Sequence, residues 1–256
     1  MRRHPAEKAM SVDDFNSARN RAIGKPTTAY VLPEIVPNVA LWWCSLQRSA
    51  EEIRRDSSVL SAEEHVRTER FATEALRSRY IAGRSALRQI LGNELGIEPA
   101  AVSIIRGARG RPRLRDHPTI DFNVSHTRGV ALIGLAHRLR IGVDVERADR
   151  EVNADALCRK FLAPTEQASL ASLDLDARRR RFLRYWTCKE AMSKATGDGL
   201  SAPFRRLEVR LGETITLVAG PEPYFPQCWR LHAVAAPADF CATLAIWYEA
   251  TMRGAT

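Results

Sequence analysis

The residues best suited to chemistry are three carboxylates and an amine, and they lie in two short runs. These runs are Ile141-Gly-Val-Asp144-Val-Glu146 and Trp186-Thr-Cys-Lys-Glu190-Ala-Met-Ser-Lys194. Magnesium prefers carboxylate, water and phosphate oxygens to a cage made wholly of protein. The two runs therefore suggest a place where a divalent cation and a phosphorylated substrate meet.

The elements that must position these side chains follow from their spacing. If the first run is a strand, Asp144 and Glu146 point to the same side. If the second is a helix, Trp186, Glu190 and Lys194 share one face. The pattern thus predicts a site at a strand–helix junction. The alternative is a solvated strand end together with a Glu–Lys pair on a helix surface.

Further fragments in a fixed order favour the site. They are Gly110-Arg-Pro-Arg-Leu114, Phe122-Asn-Val-Ser125-His126-Thr127 and Gly197-Asp-Gly199-Leu200. With the two runs above, the set resembles the 4′-phosphopantetheinyl transferases of the larger type that activates peptide and polyketide synthases, the Sfp type. The resemblance spans about Phe71 to Leu200.

This resemblance implies both a fold and a reaction. The expected fold is α+β, with two similar subdomains related by a pseudo-twofold and the active site between them. The expected enzyme moves the 4′-phosphopantetheine arm of coenzyme A to a serine of an apo acyl or peptidyl carrier protein. The reaction would need Mg²⁺ and would release adenosine 3′,5′-bisphosphate.

The resemblance also implies roles for the residues of the two runs. Asp144, Glu146 and Glu190 would hold magnesium against the pyrophosphate, and Lys194 would contact the same phosphates. Glu190, or a water that it orients, would be the base for the serine hydroxyl. The expected catalytic residues are therefore Glu190, Lys194 and Asp144.

Coenzyme A binding is expected from residues upstream. Ser125 and His126 match a phosphate-binding pair of the family, in which the histidine meets the 3′-phosphate. Arg111 stands near the nucleotide, where the family commonly has lysine.

Further upstream, Arg67 and Arg79 fall on basic positions of the family, whereas Glu64 occupies another such position. For the arginines the alternative is a solvated helix face, and for His126 it is a structural hydrogen bond.

Composition sets wider limits. The net charge of +9 over 256 residues indicates polyanionic partners without choosing among them. The five cysteines show no C-x-x-C spacing and predict reduced, mostly buried thiols. Without an apolar run of about 18 residues or a signal sequence, we expect a cytoplasmic protein that does not enter membranes. We also expect a monomer, because a duplicated fold contains within one chain the interface that the short, trimeric relatives build between subunits.

The order of predicted elements divides the chain. Residues 1–37 are interpreted as an extension, residues 38–139 and 140–249 as two subdomains, and residues 250–256 as a tail. A capping box at Ser61–Glu64 predicts a helical stretch from there towards Leu91. The second half repeats the strand–helix–strands order of the first.

Two other functions remain open from the sequence. Clustered carboxylates with magnesium also serve phosphodiesterases and nucleases. The positive charge alone would suit a basic, non-catalytic nucleic-acid-binding protein, although zinc spacing, RNP-like strands and a helix-turn-helix signature are lacking. The type of carrier protein, whether for fatty acids, polyketides or nonribosomal peptides, stays open as well.

Overall fold

Helices and antiparallel sheets follow one another twice along the chain. The computed structural model describes residues 29–107, 109–150 and 154–249. Most of the expected extension and the whole expected tail lie outside these residues. Within the described ranges no helix is both long and apolar enough to cross a membrane. All five cysteines are free thiols, and four are buried, as predicted.

Within residues 29–107 and 109–139, the first half contains a four-stranded antiparallel sheet, a separate two-stranded hairpin and three α-helices. The sheet order is β1-β2-β6-β5, and β3 pairs with β4. The elements are β1 (Ala29–Val31), β2 (Val39–Ser45), α1 (Ala50–Ser57), α2 (Ala62–Thr68), α3 (Glu74–Leu95), β3 (Ile104–Arg106), β4 (Pro112–Leu114), β5 (Ile120–Thr127) and β6 (Val130–His137).

In the part of the second half that the structure describes, there are one five-stranded antiparallel sheet and three α-helices. The sheet order is β7-β11-β10-β9-β8. The elements are β7 (Arg140–Arg147), α4 (Ala154–Phe161), α5 (Pro164–Ala168), α6 (Leu175–Thr196), β8 (Glu208–Leu211), β9 (Ile215–Ala219), β10 (Trp229–Ala233) and β11 (Phe240–Trp247).

The two halves repeat one plan. From β2 and from β7 onward, each runs through one strand, three helices and four strands, and the third helix has 22 residues in both. The order β2-β6-β5 in one sheet corresponds to β7-β11-β10 in the other. The predicted α+β fold with an internal duplication is confirmed.

The segment interpreted as an extension contains β1, in which Ala29–Val31 pairs with β2. One expectation needs correction. The helical stretch predicted from Ser61 is two helices. Ser61 and Glu64 form the predicted capping box of α2, but Thr73 caps a second helix by accepting a hydrogen bond from the amide of Leu76.

The two sheets meet where edge strand β5 runs beside edge strand β7. Every second amide of β7 points away from β11 and would lack a partner at this edge. Side chains of β5 accept these amides: Ile141 N donates to Asp121 Oδ2 (2.8 Å), Val143 N to Asn123 Oδ1 (3.0 Å) and Val145 N to Ser125 Oγ (3.2 Å). We call these three bonds the β5–β7 ladder. The ladder fixes the register between the two halves.

Helix α6 packs directly on β7 at a glycine. A Cβ added to Gly142 would lie 1.9 Å from Ala191 O and 2.8 Å from Ala195 N. Only a residue without a side chain allows this approach. Because Asp144 lies two residues further on the same face of β7, the approach brings its carboxylate next to α6.

We predict that Gly142→Ala destabilises the protein, because the methyl group forces α6 away from β7. Overpacking of this kind typically costs about 1–3 kcal/mol, and here the obstacle is backbone. Denaturant unfolding should show a lower free energy of unfolding.

Gly83→Ala is the matched control. Its Cβ would meet only Leu46 Cδ2, at 3.6 Å, inside a helix where alanine is favoured. Equal stability of the two variants would contradict the close approach at Gly142.

Candidate active site

Helix α6 presents its functional face to β7. Asp174 caps its N-terminus by accepting a hydrogen bond from the amide of Ala177, and Gly197 ends it in the left-handed conformation (φ 84°). Between these ends, Trp186 and Lys194 both contact carboxylates of β7. The side chains that the spacing predicted to share a face do so in the structure.

A compact polar triangle lies between β5, β7 and α6. Lys194 Nζ donates to Asp144 Oδ1 (2.6 Å) and to Ser125 Oγ (2.7 Å), and Ser125 Oγ donates to Asp144 Oδ1 (2.7 Å). The ladder bond from Val145 also ends on Ser125 Oγ. The triangle therefore joins the two halves of the chain through one amine, one hydroxyl and one carboxylate.

Two buried carboxylate oxygens beside the triangle have no hydrogen-bond partner. They are Asp144 Oδ2 and Glu190 Oε1. Burial raises the pKa of Glu190 to about 7, and the negative charge of Asp144 adds to the shift. An unpartnered buried carboxylate is costly and calls for a cation or a proton.

Glu146 completes the acidic group. Its Oε1 accepts a hydrogen bond from Trp186 Nε1 (3.3 Å) and also pairs with Arg150. Burial, and then the charge of Asp144, raises the pKa of Glu146. Arg150 was not among the predicted site residues, and its spacing from Glu146 gave no signal, because an i,i+4 pair shares a face only on a helix and Glu146 lies in a strand.

A long, mainly basic cleft adjoins this acidic group. Both halves of the chain line it, and Lys194 belongs to its wall as well as to the triangle. The guanidinium of Arg67 lies over the Tyr80 ring, 5.4 Å from its centre. Partial desolvation, and then the charge of Lys194, lowers the pKa of His126. The basic side chains of the lining are Arg67, Arg70, Arg79, Arg84, Arg88, Arg106, Arg109, Arg111, Arg115, His126 and Lys194.

Two of the expected phosphate ligands have protein partners instead. Ser125 is 4% exposed, and its single hydroxyl proton is bonded to Asp144. Arg111 is 8% exposed and donates to Asp121, to Lys194 O and to Ile141 O. Arg67, Arg79 and His126 are exposed in the cleft, as a phosphate ligand must be.

Comparison with known proteins matches both halves of the chain. The family model described as "4'-phosphopantetheinyl transferase, N-terminal" matches residues 45–137, and that of the "4'-phosphopantetheinyl transferase superfamily" matches residues 140–245. The 4'-phosphopantetheinyl transferase HetI of Nostoc sp. is 37% identical over 179 residues, which cover 69% of this chain and 75% of the relative. The chain belongs to the 4′-phosphopantetheinyl transferase superfamily.

Two further relatives of this transferase share less identity with it. A 4'-phosphopantetheinyl transferase of Bacillus subtilis is 29% identical over 203 residues, covering 75% of this chain and 89% of the relative. An L-aminoadipate-semialdehyde dehydrogenase-phosphopantetheinyl transferase of Xenopus laevis is 29% identical over 139 residues, covering 50% and 46%. Members of this family use coenzyme A as a substrate.

Glu64, the acidic residue at an expected basic position, is structural in this transferase. It is buried and accepts hydrogen bonds from Arg84 and from Arg88 Nε (2.5 Å), besides its role in the α2 cap. Arg88 also donates to the carbonyl oxygens of Pro99, Ala100 and Val102. This network docks α2, which carries Arg67, onto α3.

Lys189 is equally structural. It is completely buried, and its Nζ donates to Glu166 Oε2 (2.6 Å) and to the carbonyl oxygens of Phe161 (3.0 Å) and Phe204 (2.8 Å). Glu166 also accepts the amides of Ala163 and Val209. The pair therefore ties α4, α5 and β8 to α6. The local sequence carries no signal of this pairing, because 23 residues separate its partners.

We predict that Lys189→Met destabilises the protein by about 3–5 kcal/mol, because it leaves the Glu166 carboxylate buried and without its cation. Lys160→Met, in which the lysine is exposed, should change stability little. Combining Lys189→Met with Glu166→Leu should lose less than the sum of the two single changes, since the pair acts as a unit. Additive losses in denaturant unfolding would argue against the coupling.

Proposed function

We propose that this transferase moves the 4′-phosphopantetheine arm of coenzyme A to a serine hydroxyl of an apo acyl or peptidyl carrier protein, with Mg²⁺ as its metal. One observation carries the proposal. Lys194 belongs both to the wall of a basic cleft and to the polar triangle, beside the unpartnered oxygens of Asp144 and Glu190. A polyanionic nucleotide in the cleft would thus end beside carboxylates suited to a hard cation.

The carboxylates fit magnesium by their chemistry. Within the described ranges, no three His, Cys, Asp or Glu side chains stand arranged as a metal site. Asp144 Oδ2 and Glu190 Oε1 are nonetheless buried without partners, and burial, followed by the charge of Asp144, raises the pKa of Glu190. These oxygens, with Glu146, would hold Mg²⁺. The ion would supply charge neutralisation at the pyrophosphate.

The remaining chemistry is assigned to side chains of this chain. The serine oxygen forms a bond to the phosphorus of the pantetheine phosphate, and the bond from that phosphorus to the bridging pyrophosphate oxygen breaks. Glu190 takes the hydroxyl proton, for which a carboxylate with a pKa near neutrality is well suited. Lys194 stabilises the negative charge on the departing adenosine 3′,5′-bisphosphate as a point charge.

Binding of the nucleotide is assigned to the exposed basic groups. Arg67, Arg79 and His126 contact the phosphates, and His126 contacts the 3′-phosphate. Ser125 orients Asp144 and Lys194 rather than contacting a phosphate. In the same proposal, residues 38–139 hold the nucleotide, residues 140–249 hold the metal, and the protein acts as a monomer in the cytoplasm.

Mass spectrometry of a carrier protein tests the function and the metal together. The wild-type protein with coenzyme A and Mg²⁺ should add one phosphopantetheine to a purified apo carrier. Glu190→Gln should lower kcat by at least about 100-fold, the range seen when a general base is lost. It should also abolish the rise in Tm that Mg²⁺ alone produces in the wild type.

Glu213→Gln, in an exposed turn, is the control and should behave as the wild type. Near-normal turnover of Glu190→Gln at saturating Mg²⁺ would reject the acidic site. Cleavage of DNA or RNA without any gain in carrier mass would instead favour a nuclease.

We predict that His126→Ala raises the KM for coenzyme A with little change in kcat. A lost phosphate hydrogen bond is worth about 1–3 kcal/mol, and each 1.4 kcal/mol corresponds to about tenfold in affinity. Steady-state kinetics with dephospho-coenzyme A, which lacks the 3′-phosphate, should show almost no difference between variant and wild type. If His126→Ala raised the KM equally for coenzyme A and for dephospho-coenzyme A, the role of His126 would be structural.

A further inference from the structure

We propose that Arg111, paired with Asp121, is a positioning residue for the transfer reaction and not a ligand of the nucleotide. The pair holds the last turn of α6 and the start of β7 in place. It thereby sets where Lys194 and Asp144 lie. This inference rests on the function proposed above, because it assigns the pair's effect to those two residues.

Arg111 and Asp121 form a bidentate ion pair with little exposure to water. Arg111 Nη1 lies 2.6 Å from Asp121 Oδ1, and Arg111 Nη2 lies 2.8 Å from Asp121 Oδ2. The side chains are only 7% and 14% exposed. Such a two-pronged contact fixes the plane of the guanidinium and so its other donors.

The pair forms hydrogen bonds with both the carbonyl oxygen and the amide of one residue of β7. Arg111 Nη2 donates to Ile141 O (2.7 Å), while Ile141 N donates to Asp121 Oδ2 (2.8 Å). This second contact is the first bond of the β5–β7 ladder. Ile141 precedes Asp144 by three residues, so the pair anchors the strand that carries the expected metal ligand.

The same guanidinium caps the helix that carries Lys194. Arg111 Nε donates to Lys194 O (2.8 Å), and Arg140 Nε donates to Ala195 O (2.9 Å). The last carbonyls of a helix lack intrahelical partners and carry partial negative charge. Arg111 therefore joins β5, β7 and the end of α6 at a single point.

These contacts leave Arg111 little capacity for a ligand. Its guanidinium has five N–H groups, and four of them already donate to protein oxygens. Arg111 nevertheless lines the cleft, which makes a nucleotide contact the rival explanation. Asp121 does not line the cleft, so a catalytic effect of changing Asp121 must act through its protein contacts.

The test compares Arg111→Met, Asp121→Asn and the double variant in steady-state kinetics with coenzyme A and with dephospho-coenzyme A. Both single variants should lower kcat by about 10- to 100-fold, since small misplacements of reacting groups have effects of this size. The KM for coenzyme A should stay within about threefold of the wild type. The kcat of the double variant should be no lower than that of the less active single variant, because the two residues act as a unit.

Arg113→Met is the matched control. It removes an exposed arginine of β4, two residues after Arg111 and outside the cleft lining, and should keep wild-type kinetics. Should Arg111→Met fail to fold, Asp121→Asn carries the test alone through its split between kcat and KM, because it keeps one oxygen acceptor and Asp121 itself does not line the cleft.

Three results would overturn the inference. A rise of tenfold or more in the KM for coenzyme A in Arg111→Met, without any effect of Asp121→Asn, would make Arg111 a nucleotide ligand. Unchanged kcat per folded molecule with a lower Tm in both variants would make the pair merely structural. If the wild type itself fails to modify a carrier, the proposed function is rejected and this inference falls with it.

Discussion

The active site depends on how two sheet edges are joined. β5 and β7 are both edge strands, and an edge strand presents backbone groups that need partners. Here the partners are side chains, Asp121, Asn123 and Ser125, spaced two residues apart to match alternate amides of β7. This ladder closes the edges without merging the sheets. It leaves the side chains of Asp144 and Glu146 free to face α6.

Most buried carboxylates among the described residues are paired with an adjacent cation. Glu64 meets two arginines, Glu166 meets Lys189, and Asp121 meets Arg111. Removing one partner of such a pair leaves an uncompensated charge, so these pairs hold elements together more than they add net stability. The contrast is Glu190, which keeps a buried oxygen without a partner. A buried carboxylate oxygen without a partner, among carboxylates that are paired, is where a bound cation or a proton transfer is expected.

The duplicated plan explains where the cleft lies. Each half contributes a 22-residue helix, and the two helices have diverged in role. α3 carries arginines towards the cleft, whereas α6 carries Glu190 and Lys194 towards β7. The proposed nucleotide contacts and the proposed metal ligands therefore come from different copies of one architecture and meet where the halves touch.

The sequence by itself determined the local geometry of the site. The two-residue repeat of a strand and the four-residue repeat of a helix depend only on backbone geometry, so the shared faces of Asp144 with Glu146 and of Trp186, Glu190 and Lys194 were predictable. The capping box at Ser61 and the duplicated α+β order were likewise local signals. The family resemblance supplied the reaction.

Only the tertiary structure decided which polar side chains have partners within the protein. Arg111, Ser125, Glu64 and Lys189 all carry groups able to bind phosphate or metal, and the sequence could not show that each has a protein partner. Partners of these residues lie as many as 83 residues away along the chain, as Lys194 does from Arg111. Whether a charged group faces a ligand or a buried counter-charge depends on burial, and burial is set by how distant segments pack.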